Sequence, residues 1–240
     1  MKTALSSLVC IVLALVAAPS AQTPRYPAPE NMQTVHVALL LTAPNVTPGP
    51  MTPELQKIQD AHIAHLTKLG NEGNAFIAGP IGGSPSLRGL VFLKAPTVDA
   101  ARALEAEDPA VKAGRFRIEM VSYMVPGNWF RFGPITPDLK MRQFVYGYLK
   151  AGPNQGGTPA EQAKAQDDHL ANLWALRESG ALVSAGPTVN GGDRLGVVIL
   201  AVDTIEKAKA LLDQDPGVKS GRFTVELFQW FAADGILKGK

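Results

Sequence analysis

The chain repeats itself at one fixed spacing. Gln59-Asp60-Ala61-His62 returns as Gln166-Asp167-Asp168-His169, Ala78-Gly79-Pro80 returns as Ala185-Gly186-Pro187, and the run from Asp108 to Phe116 returns from Asp215 to Phe223. All three pairs lie 107 residues apart, and 26 of the 66 positions from Leu55 to Met120 match identically at that offset. Chance in an ordinary composition gives about one match in sixteen. The copies also begin alike, as Met32…Ala43-Pro44-Asn45 and Met141…Gly152-Pro153-Asn154, with small length changes in the loop that follows. Whatever supersecondary unit one copy forms, the other must form too.

Each copy opens on an apolar strand, Val35 to Leu41 and Phe144 to Leu149. Thr52-Pro53 and Thr158-Pro159 then mark helix starts, with threonine as cap and proline in the first turn. These helices run to about Gly73 and Gly180, residues suited to a C-terminal stop. Two short apolar segments follow, Ala75 to Gly79 and Gly89 to Leu93 in the first copy, Ala181 to Gly186 and Gly196 to Ala201 in the second. A second helix (Thr97 to Glu107, Thr204 to Gln214) and a last strand (Phe116 to Tyr123, Phe223 to Trp230) complete the unit. The order βαββαβ is the split βαβ, or ferredoxin-like, arrangement, and the fold class is α+β.

Such a sheet carries both helices on one face and leaves the other uncovered. Two copies packed sheet to sheet would bury it, which predicts a dimeric α/β barrel made within one chain. The alternative is two separate units, each pairing with another molecule, and self-association of the protein is compatible with either.

The flanks read differently. Met1-Lys2 is followed by an unbroken apolar run from Leu8 to Ala18 and by the small-residue exit Ala17-Ala18-Pro19-Ser20-Ala21, the order of a secretory signal peptide. The run is short for a bilayer span, so cleavage after Ala21 is expected, with Ala18 as the competing site, and export to the periplasm or beyond. Contact with membrane is expected only through this segment. The sole cysteine, Cys10, lies inside it, so the mature chain is expected to hold no thiol, disulfide or thiolate metal site. Residues 22–31 form a proline-rich tether and 125–140, with Pro126-Gly127, Gly133-Pro134 and Thr136-Pro137, a linker between domains 32–124 and 141–231. Trp129, Phe130 and Phe132 give that linker the means to pack, and 232–240 is a tail. With 46% hydrophobic residues there is material for real cores, and a net charge of +2 predicts no attraction to nucleic acid.

Chemistry is carried by few residues. Ile58, Leu66 and Leu69 place His62 on the apolar face of its helix, and Leu173 and Leu176 do the same for His169. An imidazole kept at one register in both copies is an odd choice for packing alone, so a core role and a site role are weighed evenly. Asp60 and Asp167, two positions from the histidines, point away from them and are expected in solvent. Asp108 and Asp215 precede proline, and either terminate the second helix or orient a histidine as a general base. Arg115 and Arg222 are candidates for an anionic ligand, or for surface ion pairs. His65 stands three residues after His62, a spacing that can share a metal, but its counterpart is Asn172 and no acidic third ligand is evident. No metal is expected, and Gly82-Gly83 and Gly191-Gly192 lack the strand-to-helix context of a phosphate loop.

The helix histidine, Ala-Gly-Pro with its glycine seventeen residues on at Gly79 and Gly186, and a second helix closing in Asp-Pro with a glycine beyond resemble the YCII-related domain family. The resemblance covers Met32 to Tyr123 and Met141 to Phe231. It implies a ferredoxin-like fold pairing into a dimeric barrel, and a histidine–aspartate active site mapping onto His62 with Asp108 and His169 with Asp215. One enzymatic relative is a dehydrochlorinase of aromatic breakdown. Ala110 and Gly217 depart from the pattern, since many members carry an aromatic residue there. The expected function is a cofactor-independent enzyme using a His/Asp acid–base pair on a small aromatic or enolisable molecule. The competing expectation is a non-catalytic ligand-binding or scaffold protein.

Overall fold

The computed structural model describes residues 30–46, 49–127, 129 and 140–234. The segment read as a signal peptide, most of the tether, and Phe130 and Phe132 lie outside the described residues.

In the first copy the elements are β1 (Met32–Thr42), α1 (Pro53–Asn71), β2 (Ala75–Gly82), β3 (Leu87–Leu93), α2 (Val98–Ala106), α3 (Pro109–Lys112) and β4 (Phe116–Pro126). The second copy repeats them as β5 (Met141–Ala151), α4 (Pro159–Glu178), β6 (Leu182–Pro187), β7 (Arg194–Leu200), α5 (Ile205–Leu212), α6 (Pro216–Lys219) and β8 (Phe223–Ala233). Thr52 caps α1 by accepting from Leu55 N, with Pro53 in the first turn. Thr158 and Glu161 cap α4 reciprocally, so two donors left open by the helix start are satisfied at once. Gly73 and Gly180 follow the long helices at φ 74° and 78°, the left-handed conformation foreseen for them.

The eight strands form a sheet in the order β4-β1-β3-β2-β8-β5-β7-β6, antiparallel throughout. Each half is the ferredoxin-like order, and two seams join them. At one, Ile81 and Gly82 of β2 pair with Trp230 and Gln229 of β8. At the other, Tyr123 bridges Thr188 and Val189 N donates to Ser122 O at 2.7 Å. The two sheets close into a barrel within the one chain, as the uncovered-face argument requires.

Strand alternation divides the apolar residues. Val37, Leu39, Phe92, Val121 and Tyr123 turn inward to a core shared with Phe144, Tyr146, Tyr148 and Trp230 of the second copy. Phe92 and Trp230 stack at 5.1 Å between ring centres, one ring from each copy. Ala38, Leu40, Val91, Leu93 and Met120 turn outward beneath Leu69 of α1 and Ala101 of α2. The helices therefore clothe the outside of the barrel.

The strands outrun their sequence boundaries. Pro126 pairs with Met32 and Ala233 with Met141, so β4 and β8 continue into what reads as linker and tail. The reason is tertiary: those residues gain a ladder partner on the first strand of their own copy. Trp129 is buried against the second copy, edge-on to Trp174 at 5.5 Å and beneath the Arg177 guanidinium at 4.9 Å.

Candidate active site

The four-residue helices α3 and α6 follow directly from the Asp-Pro dipeptides. Asp108 is the N-cap of α3, its Oδ1 accepting from Ala110 N at 2.7 Å, and Asp215 caps α6 through Gly217 N at 2.8 Å. Proline at the first helical position lacks only a donor that would be orphaned anyway. One carboxylate oxygen is thus committed to the turn, and the other points at α1 or α4.

There it meets the histidine. His62 Nδ1 lies 2.5 Å from Asp108 Oδ2, and His169 Nδ1 lies 2.8 Å from Asp215 Oδ2. One side chain thus forms the turn and also contacts the helix histidine. Asp108 is 0% exposed and His62 7%, so the pair is screened from bulk water. A carboxylate receiving Nδ1–H holds one tautomer of the ring and leaves Nε2 for other chemistry. Phe116 and Phe223 stand beside the two rings at 5.8 and 5.0 Å. Asp60, by contrast, is exposed and accepts from Gln56 Nε2 on its own helix.

His62 lines a groove of about 770 Å³ between α1 and the strands β2 and β3. Its walls are mostly aliphatic, among them Leu55, Ile58, Leu66, Ile77 and Val91, and Met141 and Ala233 of the second copy contribute at the seam. Arg88 and Arg115 bring cations to the same groove. Arg115 lies over the Phe116 ring and donates from Nη1 to Leu55 O at 3.4 Å. Arg222 repeats both contacts with Phe223 and Gln162 O. Each arginine therefore ties the last strand to the first turn of the long helix, a structural contact that neither sequence alternative named.

Two surrounding residues escape a reading of the sequence. Asn172, at the position of His65, donates to Asp215 Oδ2 at 2.8 Å. Glu105 is fully buried in α2, one turn beyond Ala101; no donor reaches either carboxyl oxygen, and its hydrogen-bonding neighbour is the Asp108 carboxyl, which it can bond only when protonated. The signal is present at the repeat offset: α5 buries Ala208 and Leu212 at the corresponding positions, so a carboxyl replaces a leucine on a core face. Burial, and then the neighbouring Asp108 charge, push the Glu105 pKa up to about 8. Burial also lowers that of His65, whose Nε2 is enclosed without a hydrogen-bond partner.

The burial of Glu105 makes stability depend on pH. Unfolded, the carboxyl ionises near its ordinary 4.5; folded, it holds its proton to about 8. Between those values the folded state binds more protons than the unfolded one, so stability falls as pH rises through the window and levels off above it. At about 1.4 kcal/mol per unit over that window, the loss is on the order of 5 kcal/mol. Urea titrations of the wild type and Glu105→Gln at pH 5 and pH 9 measure it: the variant should be the more stable at pH 9 and lose most of the difference at pH 5. Parallel pH profiles would contradict the assignment.

The chain belongs to the YCII-related domain family, whose model matches residues 35–124 and 144–231, one match per copy. No curated protein matches it in sequence. Among solved structures it is similar in fold to a chlorite dismutase-like protein, at TM-score 0.54 and 10% identity over 84% of this chain and 96% of the other. It is similar also to a point mutant of the chlorite dismutase from Candidatus Nitrospira defluvii, at TM-score 0.52 and 8% identity over 82% and 90% of the chains. A heme-binding protein from Thermus thermophilus matches at TM-score 0.50 and 14% identity over 86% and 94%. At such identities the likeness speaks for the barrel and not for its chemistry.

Proposed function

We propose that this protein is an exported enzyme, working without a cofactor, in which His62 and Asp108 act as a general acid–base pair on a small aromatic or enolisable substrate. The observation that carries the reading is the 2.5 Å contact of His62 Nδ1 with a fully buried Asp108, on a ring that also lines the groove. With Nδ1–H given to the aspartate, Nε2 is the basic atom, and the carboxylate steadies the imidazolium that forms when it takes a proton. His169 with Asp215 is the same device in the second copy. Aliphatic walls suit an apolar body and the two arginines suit a carboxylate or enolate oxygen, while the volume falls in the usual range for small-molecule sites. Export rests on residues 1–21 as read in sequence.

The test is proton exchange at carbon. A panel of aryl carboxylic acids and β-keto acids is first ranked by thermal shift, since a ligand of the folded state raises the melting temperature by mass action. Compounds that bind are then incubated with the protein in D2O and followed by NMR for deuterium entering the activated C–H position. Exchange that the double variant His62→Gln/His169→Gln slows by about a hundredfold or more supports the reading. Binding without exchange, or exchange indifferent to both histidines, rejects it in favour of ligand binding alone.

A further inference from the structure

The two His–Asp pairs occupy equivalent positions in the duplicated fold, yet their aspartates are held in different ways. Asp215 receives four donors: His169, Asn172, Gly217 N and, at 3.4 Å, Val218 N. At the position corresponding to Glu105, α5 carries the buried, apolar Leu212. Asp108 receives two, from His62 and Ala110 N. His65 stands where Asn172 donates, its Nε2 unpartnered, and Glu105 stands where Leu212 packs. A carboxyl sealed in a core, reached by no donor and with another carboxyl beside it, destabilises the fold relative to the leucine that fills the same place in the other copy. Stability does not account for it.

We infer that Glu105 is a positioning residue of the first site: protonated, it is a donor to Asp108, and ionised, it adds a second negative charge behind His62, so the two copies are chemically unequal. This rests on the acid–base reading of His62 and Asp108. Two carboxyls side by side in a core share protons as a unit, and the loss of the Glu105 proton strengthens the pull of the pair on the imidazolium. The upward shift of Glu105 puts that change near pH 8, above the ordinary histidine range. The second site has no such group, and its aspartate is already saturated with donors.

Other charges face this cluster. From α1 there are His62, His65 and Lys68; beside α3 there are Glu107 and Lys112, paired with each other; the other histidine of this copy, His36 of β1, is bonded to Ser122. Burial holds His65 and His36 below the ordinary histidine value, so neither competes with Glu105 in its window. Lysines as a class ionise well above it.

The test is NMR titration of the His62 and His169 ring signals from about pH 4 to pH 10 in the wild type, Glu105→Gln, Glu105→Leu and Asp108→Asn. In the wild type, His62 should show a second inflection near pH 8 that His169 lacks. Glu105→Gln should abolish it, and Glu105→Leu, which removes the donor to Asp108, should raise the His62 midpoint by about half a pH unit or more, with His169 unmoved. A single His62 inflection in the wild type, an upper inflection that survives Glu105→Gln, or a His62 midpoint unmoved in Glu105→Leu overturns the inference. Asp108→Asn separates the two claims. If His62 responds to it but not to the Glu105 variants, only the inference falls; if His62 ignores it, the acid–base pair falls too.

Discussion

Gly186→Ala is expected to lower the stability of the protein by about 3 kcal/mol, the upper part of the range for overpacking, because the atom in the way is backbone. A Cβ on Gly186 would stand 1.7 Å from Met124 O, and one on Gly79 would stand 2.0 Å from Phe231 O. Met124 and Phe231 are themselves equivalent residues of the two copies, so the clash is the same at both seams. A carbonyl in a strand ladder cannot swing aside without releasing its neighbours, and the barrel must open locally to admit one methyl group. For a chain of this size the loss corresponds to roughly 6–12 °C in melting temperature. Gly156, with nothing within 4 Å of its would-be Cβ, is the control, and alanine there should change stability by less than about 0.5 kcal/mol. Scanning calorimetry of the three alanine variants decides the matter: equal melting temperatures would mean the seams are not where the chain is tight. The Ala-Gly-Pro signature thereby acquires a physical meaning. Its glycine is the place where one copy touches the other.

The second large effect is expected at Asp108. Asparagine can keep the cap, since its carbonyl oxygen still accepts from Ala110 N, and the size is unchanged. What it cannot do is balance a positive ring. The proton affinity of His62 should fall by about one pH unit or more, because the buried imidazolium loses the opposite charge held within hydrogen-bonding distance. Any proton transfer that uses His62 should slow by about a hundredfold or more. Asp108→Ala adds the loss of the α3 cap, about 1 kcal/mol of stability, so comparison of the two variants separates capping from electrostatics. His62 titrating identically in wild type and Asp108→Asn would leave the aspartate as a turn residue only. Asp215→Asn should act on His169 in the same direction but by less, since Asn172 and two backbone N–H groups already share the Asp215 charge.

Much of this site is visible along the chain. His62 and His169 stand out because periodicity puts a polar ring on a buried helix face twice over, and Asp108 and Asp215 because a proline follows each. Their meeting is not visible there. The pairs are 46 residues apart in sequence and joined only by the return of the chain through two strands and a helix. Arg115 and Arg222 carry a contact the chain does not announce: besides their readings as ligand cations or surface ions, each binds a carbonyl of the long helix, a partner that carries no side-chain signal. Glu105 is hidden by ordinary helix composition, and only alignment with Leu212 makes it anomalous.

The sequence by itself determined the duplication, the order of elements, the helix caps and the α+β class, because these depend on local chemistry and on periodicity along the chain. It also determined that a barrel was the economical answer, since an uncovered apolar sheet face has to be buried. Only the tertiary structure decided which glycines form the seams, that a turn-forming aspartate is also the partner of a histidine, and that the two sites differ. Those outcomes depend on distances between residues far apart in the chain, and on how many donors reach a buried carboxylate, quantities that no spacing along a sequence encodes.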